Sequence, residues 1–227
     1  MTKKVITIDG PAGSGKSTVS RTLAAKLQYL YLDTGALYRA LAYKALKNNI
    51  DMNHPGKLAE FCLTTDVTLK KVNGNVTVLV DGEDVGEKIR TEKVGLAASA
   101  ISVFAVVREK LLSLQREAGA DGGIVAEGRD MGSVVFPDAD FKFYLDADLE
   151  ERIRRRCGEL ACRTGGAEPS SVSRDMRARD EQDTNRKIAP LAAAPDAVII
   201  DSTSLTIPQV VEKILEHLSG ASVSGKP

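Results

Sequence analysis

The sequence predicts an α/β fold of three layers, with helices covering a central parallel sheet, and three observations carry that expectation. Short apolar runs alternate with segments of helical spacing, a glycine loop of the form GxxxxGK[ST] joins the first run to the first helix, and a single antiparallel hairpin interrupts the alternation.

Residues Lys3 to Asp9 (KKVITID) are apolar and β-branched and stop at Gly10 and Pro11, as a buried strand would. From Ser17 to Leu27, Val19, Leu23 and Leu27 recur at helical spacing. YLYLD at 29–33 is a second strand, followed by a helix over about 36–47. VTLKKV at 67–72, the turn residues Asn73-Gly74-Asn75 and VTVLVD at 76–81 then spell a hairpin, which inside a βαβ series marks an inserted lobe. Helical patterns over 91–102 and 105–118 lead to strands GIVAEG at 123–128 and FKFYLD at 141–146. An arginine-rich helix begins near Leu149, a Gly, Pro and Ser-rich link follows, and a polar helix carries RDMRARDEQDTNR. AVIID at 197–201 is the last strand and 207–218 the last helix. The expected organisation is one domain over 1–218, with an insertion at about 50–122, a lid at about 150–172 and a flexible tail over 219–227.

Composition narrows the function classes. Of 227 residues 43% are apolar and 27% charged, an ordinary soluble balance. Lys plus Arg and Asp plus Glu are 31 each, so no basic excess draws the chain to nucleic acid and any anion site must be local. No apolar run approaches the roughly 18 residues of a spanning helix, and MTKKVITIDG passes straight into a strand, so no membrane partner and a cytoplasmic location are expected. Cys62, Cys157 and Cys162 fit reduced thiols. Neither His54 nor His217 is near Cys157 and Cys162 to complete a zinc site.

Two stretches match the start of the phosphate-loop pattern, Gly10 to Thr18 (GPAGSGKST) and Gly220 to Pro227 (GASVSGKP). An anion is held where a strand delivers the loop and a helix leaves it, so that backbone N–H groups and the positive helix end converge. The first stretch has both. Gly10, Pro11, Ala12, Gly13, Ser14, Gly15, Lys16, Ser17 and Thr18 form an expected ATP cradle, in which Lys16 reaches the β- and γ-phosphates and Ser17 places its hydroxyl on Mg²⁺. The second has no Ser or Thr after Lys226 and reads as a chance match.

A nucleotide loop alone fits a switch protein, a motor or a kinase. No NKxD base-reading motif occurs, but arginines stand beside proposed strand ends: Arg39 after LDTGALY, Arg129 with Asp130 after IVAEG, and Arg179 and Arg186 around DEQDTN. Ligands of parallel sheets sit outside the carboxyl ends of the strands, so these cations imply an anionic acceptor.

The blocks DGPAGSGKST, LDTGALYRALA, IRT with VREKLL, EGRDMGSVVFPDAD and RDEQDTNRKIAPL, in that order from residue 8 to about 202, resemble the bacterial type of cytidylate kinase. The resemblance implies a three-layer P-loop kinase with a central parallel sheet, an inserted antiparallel hairpin lobe for the acceptor nucleotide and a helical lid. It implies transfer of phosphate from ATP, with Mg²⁺, to CMP and dCMP by a monomer. The alternative is a kinase of the same fold acting on UMP or another small acceptor. Thr34 and Ser99 match acceptor-site hydroxyls, Arg39, Arg129 and Arg186 match phosphate-binding arginines, Arg108 and Asp130 match base-reading residues, and Arg179 with Asp183 match a pair near the ribose.

Cytosine presents an N4 amino donor where uracil presents an acceptor, so a carboxylate such as Asp130 discriminates between them. Without the family match Asp130 also reads as an ion pair with Arg129, and Asp183 as a helix-surface partner of Arg179 at i,i+4. The acceptor phosphate, with a second pKa near ~6, needs no strong base. Catalysis therefore falls to Lys16 and Arg186, with Arg155 and Arg156 closing over the phosphates. The competing reading of Arg155 and Arg156 is a solvated basic face balanced by Glu150, Glu151 and Glu159. Glu127, at a strand end, either orients a Mg²⁺-bound water or is structural.

Overall fold

A computed structural model of the chain describes residues 3–72, 75–164 and 168–223. Five parallel strands form its centre in the order β2 (Leu30–Asp33), β6 (Ile124–Gly128), β1 (Val5–Asp9), β7 (Phe141–Asp146) and β8 (Val198–Asp201). Alternation along the strands sends successive side chains to opposite faces. Ile6, Ile8 and Val125 pack on one face against Val19 and Leu23 of α1 (Lys16–Leu27) and Val210, Val211 and Ile214 of α8 (Ile207–Val223). Ile124 and Ala126 pack on the other with Leu32, Met131 and Val135. The register sets Asp33 beside Glu127 and Asp9 beside Gly128, so acidic and glycine residues share the carboxyl edge of the sheet.

The inserted lobe opens with α2 (Thr34–Lys47) and α3 (Pro55–Thr64). Strands β3 (Val67–Val72), β4 (Asn75–Val80) and β5 (Glu83–Asp84) are antiparallel, and the bridge Tyr31 to Asn75 ties them to β2. Helices α4 (Glu92–Ile101) and α5 (Ala105–Gly119) close this lobe around Leu37, Leu41, Leu58, Phe61, Val80, Ile101 and Leu111. The expected turn at Asn73 and Gly74 lies outside the described residues.

Helices α6 (Leu149–Thr164) and α7 (Pro169–Asn185) form the arginine-rich pair. Leu160, Val172 and Met176 hold them together and reach Ala12, so this unit packs directly on the phosphate loop. Three elements lie beyond the sequence expectation: α3, the two-residue β5, and a five-residue π-turn over Met131–Val135. The last helix also differs, since α8 continues to Val223 and makes the first part of the expected tail helical. Residues 224–227 lie outside the described residues.

Candidate active site

At the carboxyl edge β1 runs into the phosphate loop. Gly10 has φ 149°, and a Cβ there would stand 2.1 Å from the Leu145 carbonyl oxygen, so only glycine lets the loop cross β7. Gly15, with φ 91°, caps α1, whose first turn carries no acidic residue, and the positive helix end faces the cleft undiminished. Ala12, Gly13, Gly15, Lys16, Ser17 and Thr18 line the cleft, while Gly10, Pro11 and Ser14 complete the loop without lining it. Lys16 Nζ donates to the Pro11 carbonyl at 2.7 Å. Burial, reinforced by the charge of Arg129, pushes the Lys16 ammonium down to about 7.

Ser17 Oγ donates to Glu127 Oε2 at 2.9 Å, and the Tyr31 hydroxyl donates to Glu127 Oε1. Burial and the neighbouring charge of Asp33 raise the Glu127 carboxyl above its ordinary range. Asp33 caps α2 by accepting from Ala36 N at 3.0 Å, and its other oxygen holds Arg39 Nη2 at 2.7 Å. Thr34 Oγ1 donates to the Glu127 carbonyl at 2.6 Å.

The far wall is a network of arginines and carboxylates. Arg108, from α5, and Arg186, at the end of α7, grip different oxygens of Asp130, the Arg186 contact at 3.3 Å. Burial raises the Asp130 carboxyl even so. Arg129 Nε is 2.7 Å from Asp183 Oδ2. Two sequence alternatives are thereby corrected. Asp130 pairs with Arg108 and Arg186 rather than Arg129, and Asp183 pairs with Arg129 and, at 3.8 Å, Arg186, with no ion pair to Arg179 among the described residues. Arg179 lines the cleft with its Nε lacking a hydrogen-bond partner among the described residues, and burial beside Arg129 pushes it down to about 10.

Ser99 lines the same cleft, and Gln182 Nε2 donates to its carbonyl at 2.6 Å and its Oγ at 3.0 Å. That contact joins α4 to α7 and was not expected from sequence. Thr34, Arg39, Arg108, Arg129, Asp130, Asp183, Arg186 and Arg156 also line the cleft. Arg155 does not. Its guanidinium donates to Ser202 Oγ at 3.0 Å and the Ser202 carbonyl at 2.6 Å and is paired with Glu151 at 2.8 Å, so it ties α6 to the loop after β8. Arg155, expected to close over the phosphates, has its guanidinium beside the phosphate loop, 3.5 Å from the Ser14 carbonyl, while it holds the loop after β8, and Arg156 is the neighbour that lines the cleft.

Among the described residues lining the cleft near the phosphate loop, the groups able to ligate a cation are oxygens, the Ser17 hydroxyl and the Glu127 carboxylate, with Asp33 beside Glu127 and Thr18 after Ser17. That chemistry suits Mg²⁺, which keeps waters and substrate phosphates as its remaining ligands.

A family model described as cytidylate kinase matches residues 6–220. The chain is 45% identical over 216 residues to a cytidylate kinase of Caldicellulosiruptor bescii, covering 95% of this chain and 96% of the relative. It is 48% identical over 208 residues to one of Citrifermentans bemidjiense, covering 92% and 89%. Among solved structures it is similar in fold to a shikimate kinase of Bacteroides thetaiotaomicron, at TM-score 0.50 and 14% identity over 95% and 98% of the two chains. A gluconokinase of Sinorhizobium meliloti superposes at TM-score 0.50 and 14% identity, over 97% and 94%.

Proposed function

The chain belongs to the cytidylate kinase family and phosphorylates CMP and dCMP with ATP, and on that premise we propose how its residues divide the work. The observation that carries the division is that the phosphate loop and the pair Arg108 and Asp130 line one cleft.

ATP lies along the loop from Gly10 to Thr18, with Lys16 on its outer phosphates. Ser17 would hold Mg²⁺ with those phosphates, and Glu127 would orient a water on it. The ion supplies charge neutralisation of the transferring phosphoryl group. Because the Ser17 proton is engaged by Glu127, the lone pairs of Oγ stay free for a cation.

CMP enters the opposite wall. Asp130 accepts from the cytosine amino group, Arg108 and Ser99 flank the base, and Thr34 orients the nucleotide. Arg179 and Asp183 lie by the ribose, and Arg39, Arg129 and Arg186 neutralise its phosphate. The acceptor oxygen, already ionised at neutral pH, attacks the γ-phosphorus as the bond to ADP breaks. Rate enhancement comes from alignment of two polyanions and from fixed cations, Lys16, Arg156 and Arg186 among them. Ser99 and Arg108 bring the insertion at about 50–122 into the acceptor wall beside residues of α2, β6 and α7, and α6 with the start of α7 forms the lid that excludes water. A monomer is taken as the working unit. No described helix is long and apolar enough to cross a membrane.

Initial rates with CMP, dCMP, UMP and AMP at fixed Mg-ATP test this reading. CMP and dCMP should lead, and a preference for AMP or UMP would reject the role given to Asp130.

A further inference from the structure

Asp9 carries none of the roles assigned above, yet it is 3% exposed and its two carboxylate oxygens are both used. Oδ1 accepts from the Met131 amide and Oδ2 from the Gly132 amide, each at 2.8 Å. These amides open the π-turn Met131–Val135, where early helical N–H groups have no partner within the turn itself. The far end of the turn is pinned as well, by Val134 N at 2.9 Å and Val135 N at 3.2 Å from the Asp130 carbonyl. Asp130 adopts φ −147° and ψ 26°, between the strand and helical regions, so the direction of its side chain depends on the residues that follow it.

We propose that Asp9 is a positioning residue for acceptor selection: by clamping the Met131 and Gly132 amides it fixes the turn that presents Asp130 and Arg129 to the acceptor nucleotide. The clamp is anchored to the stiffest part of the molecule. Asp9 ends the central strand β1, in register with Gly128 on one side and Tyr144 on the other, and the next residue, Gly10, opens the phosphate loop. One backbone position thus sets the donor loop while its side chain sets the acceptor turn. Charge-assisted bonds to two successive amides resist both tilt and twist, which a neutral side chain with one acceptor oxygen does not. Bidentate contacts of that kind supply the geometric precision a base-reading carboxylate needs, since a displacement of about 1 Å at a reacting or reading group costs on the order of 100-fold.

The proposal rests on the assignment of Asp130 to the cytosine amino group, and its test separates the two. In Asp9→Asn one amide would face an NH₂ group. The ratio of kcat/KM for CMP to that for UMP should fall about tenfold or more, through KM for CMP, while KM for Mg-ATP stays within about twofold of wild type. A folded Asp9→Asn enzyme with the wild-type ratio overturns the clamp alone. A wild-type enzyme that does not prefer CMP to UMP overturns the base-reading assignment instead. Should Asp9→Asn not fold, amide exchange in the wild-type protein decides: Met131 and Gly132 should exchange as slowly as the central strands, and exchange at loop rates overturns the clamp.

Discussion

The Ser17 hydroxyl donates to the Glu127 carboxylate across 2.9 Å, joining the first turn of α1 to the end of β6. Glu127 therefore holds the hydroxyl proposed to meet Mg²⁺, and Tyr31 holds Glu127 from the other side. Glu127→Gln keeps the shape but removes the charge and turns one oxygen into a donor. We expect kcat to fall roughly 10- to 100-fold and the Mg²⁺ requirement of ATP binding to rise, as calorimetric titration of ATP at graded Mg²⁺ would show. Unchanged Mg²⁺ dependence would make Glu127 a structural carboxylate.

Asp130 carries two buried guanidiniums, so its replacement has two separable consequences. Asp130→Ala strands Arg108 and Arg186, and loss of one partner of a buried pair costs about 3–5 kcal/mol, visible in chemical denaturation. Asp130→Asn keeps the volume and one acceptor oxygen while adding a donor that suits the uracil carbonyl. The ratio of CMP to UMP turnover should fall by roughly 10- to 100-fold, matching the ~1–3 kcal/mol of a good base contact. A ratio that stays put in Asp130→Asn would remove Asp130 from base reading.

Arg155 and Arg156 are adjacent yet face different surroundings. Arg156 lines the cleft and meets Glu159 at 3.0 Å in a partly exposed pair, whereas Arg155 is bonded into the loop after β8. Arg156→Met should lower kcat about 100-fold with stability within ~0.5 kcal/mol of wild type. Arg155→Met should do the reverse, costing about 1 kcal/mol through the bonds lost to Ser202 and Glu151, since the Leu205 amide still reaches the Ser202 carbonyl and Arg154 still holds Glu151, with a smaller effect on kcat. Equal kinetic losses in the two variants would contradict this division.

The strands and the phosphate loop were legible because their signals are local: β-branched runs bounded by glycine, and a motif whose spacing states its own geometry. Helix α3 carried such a signal too, with Pro55 at its start and Leu58, Phe61 and Cys62 at helical spacing, although its apolar face is short. Pairing was not legible. Whether Asp183 meets Arg179 four residues away or Arg129 on another element depends on how α7 crosses the sheet edge, a tertiary fact that i,i+4 spacing does not contain. The same holds for Gln182 on Ser99 and for the split between Arg155 and Arg156, where α6 could have presented either neighbour to the cleft. The π-turn escaped notice because its amides are satisfied by Asp9, 122 residues away for Met131, and no local pattern announces such a partner.

Burial pushes the Asp9 carboxyl up from 3.8 to about 6, against the pull of the Gly132 and Met131 amides and with a smaller push from Asp130. The sign follows from proton counting. Between pH 4 and 6 the folded protein holds a proton on Asp9 that the unfolded chain has released, so folding gains from this group below about 4 and loses that gain as pH rises through about 6. Each pH unit of that window is worth up to ~1.4 kcal/mol, so the difference in unfolding free energy between wild type and Asp9→Asn should drift toward the variant by roughly 2–3 kcal/mol from pH 4 to pH 6.5. Urea denaturation of both proteins across that range measures it. A flat difference would mean that Asp9 ionises in the folded protein as it does in the unfolded chain, and that the two amides compensate fully for its burial. The same titration links stability to acceptor geometry: ionisation costs folding energy but gives both amides a charged partner, so the form that clamps the turn most firmly is the one that burial disfavours.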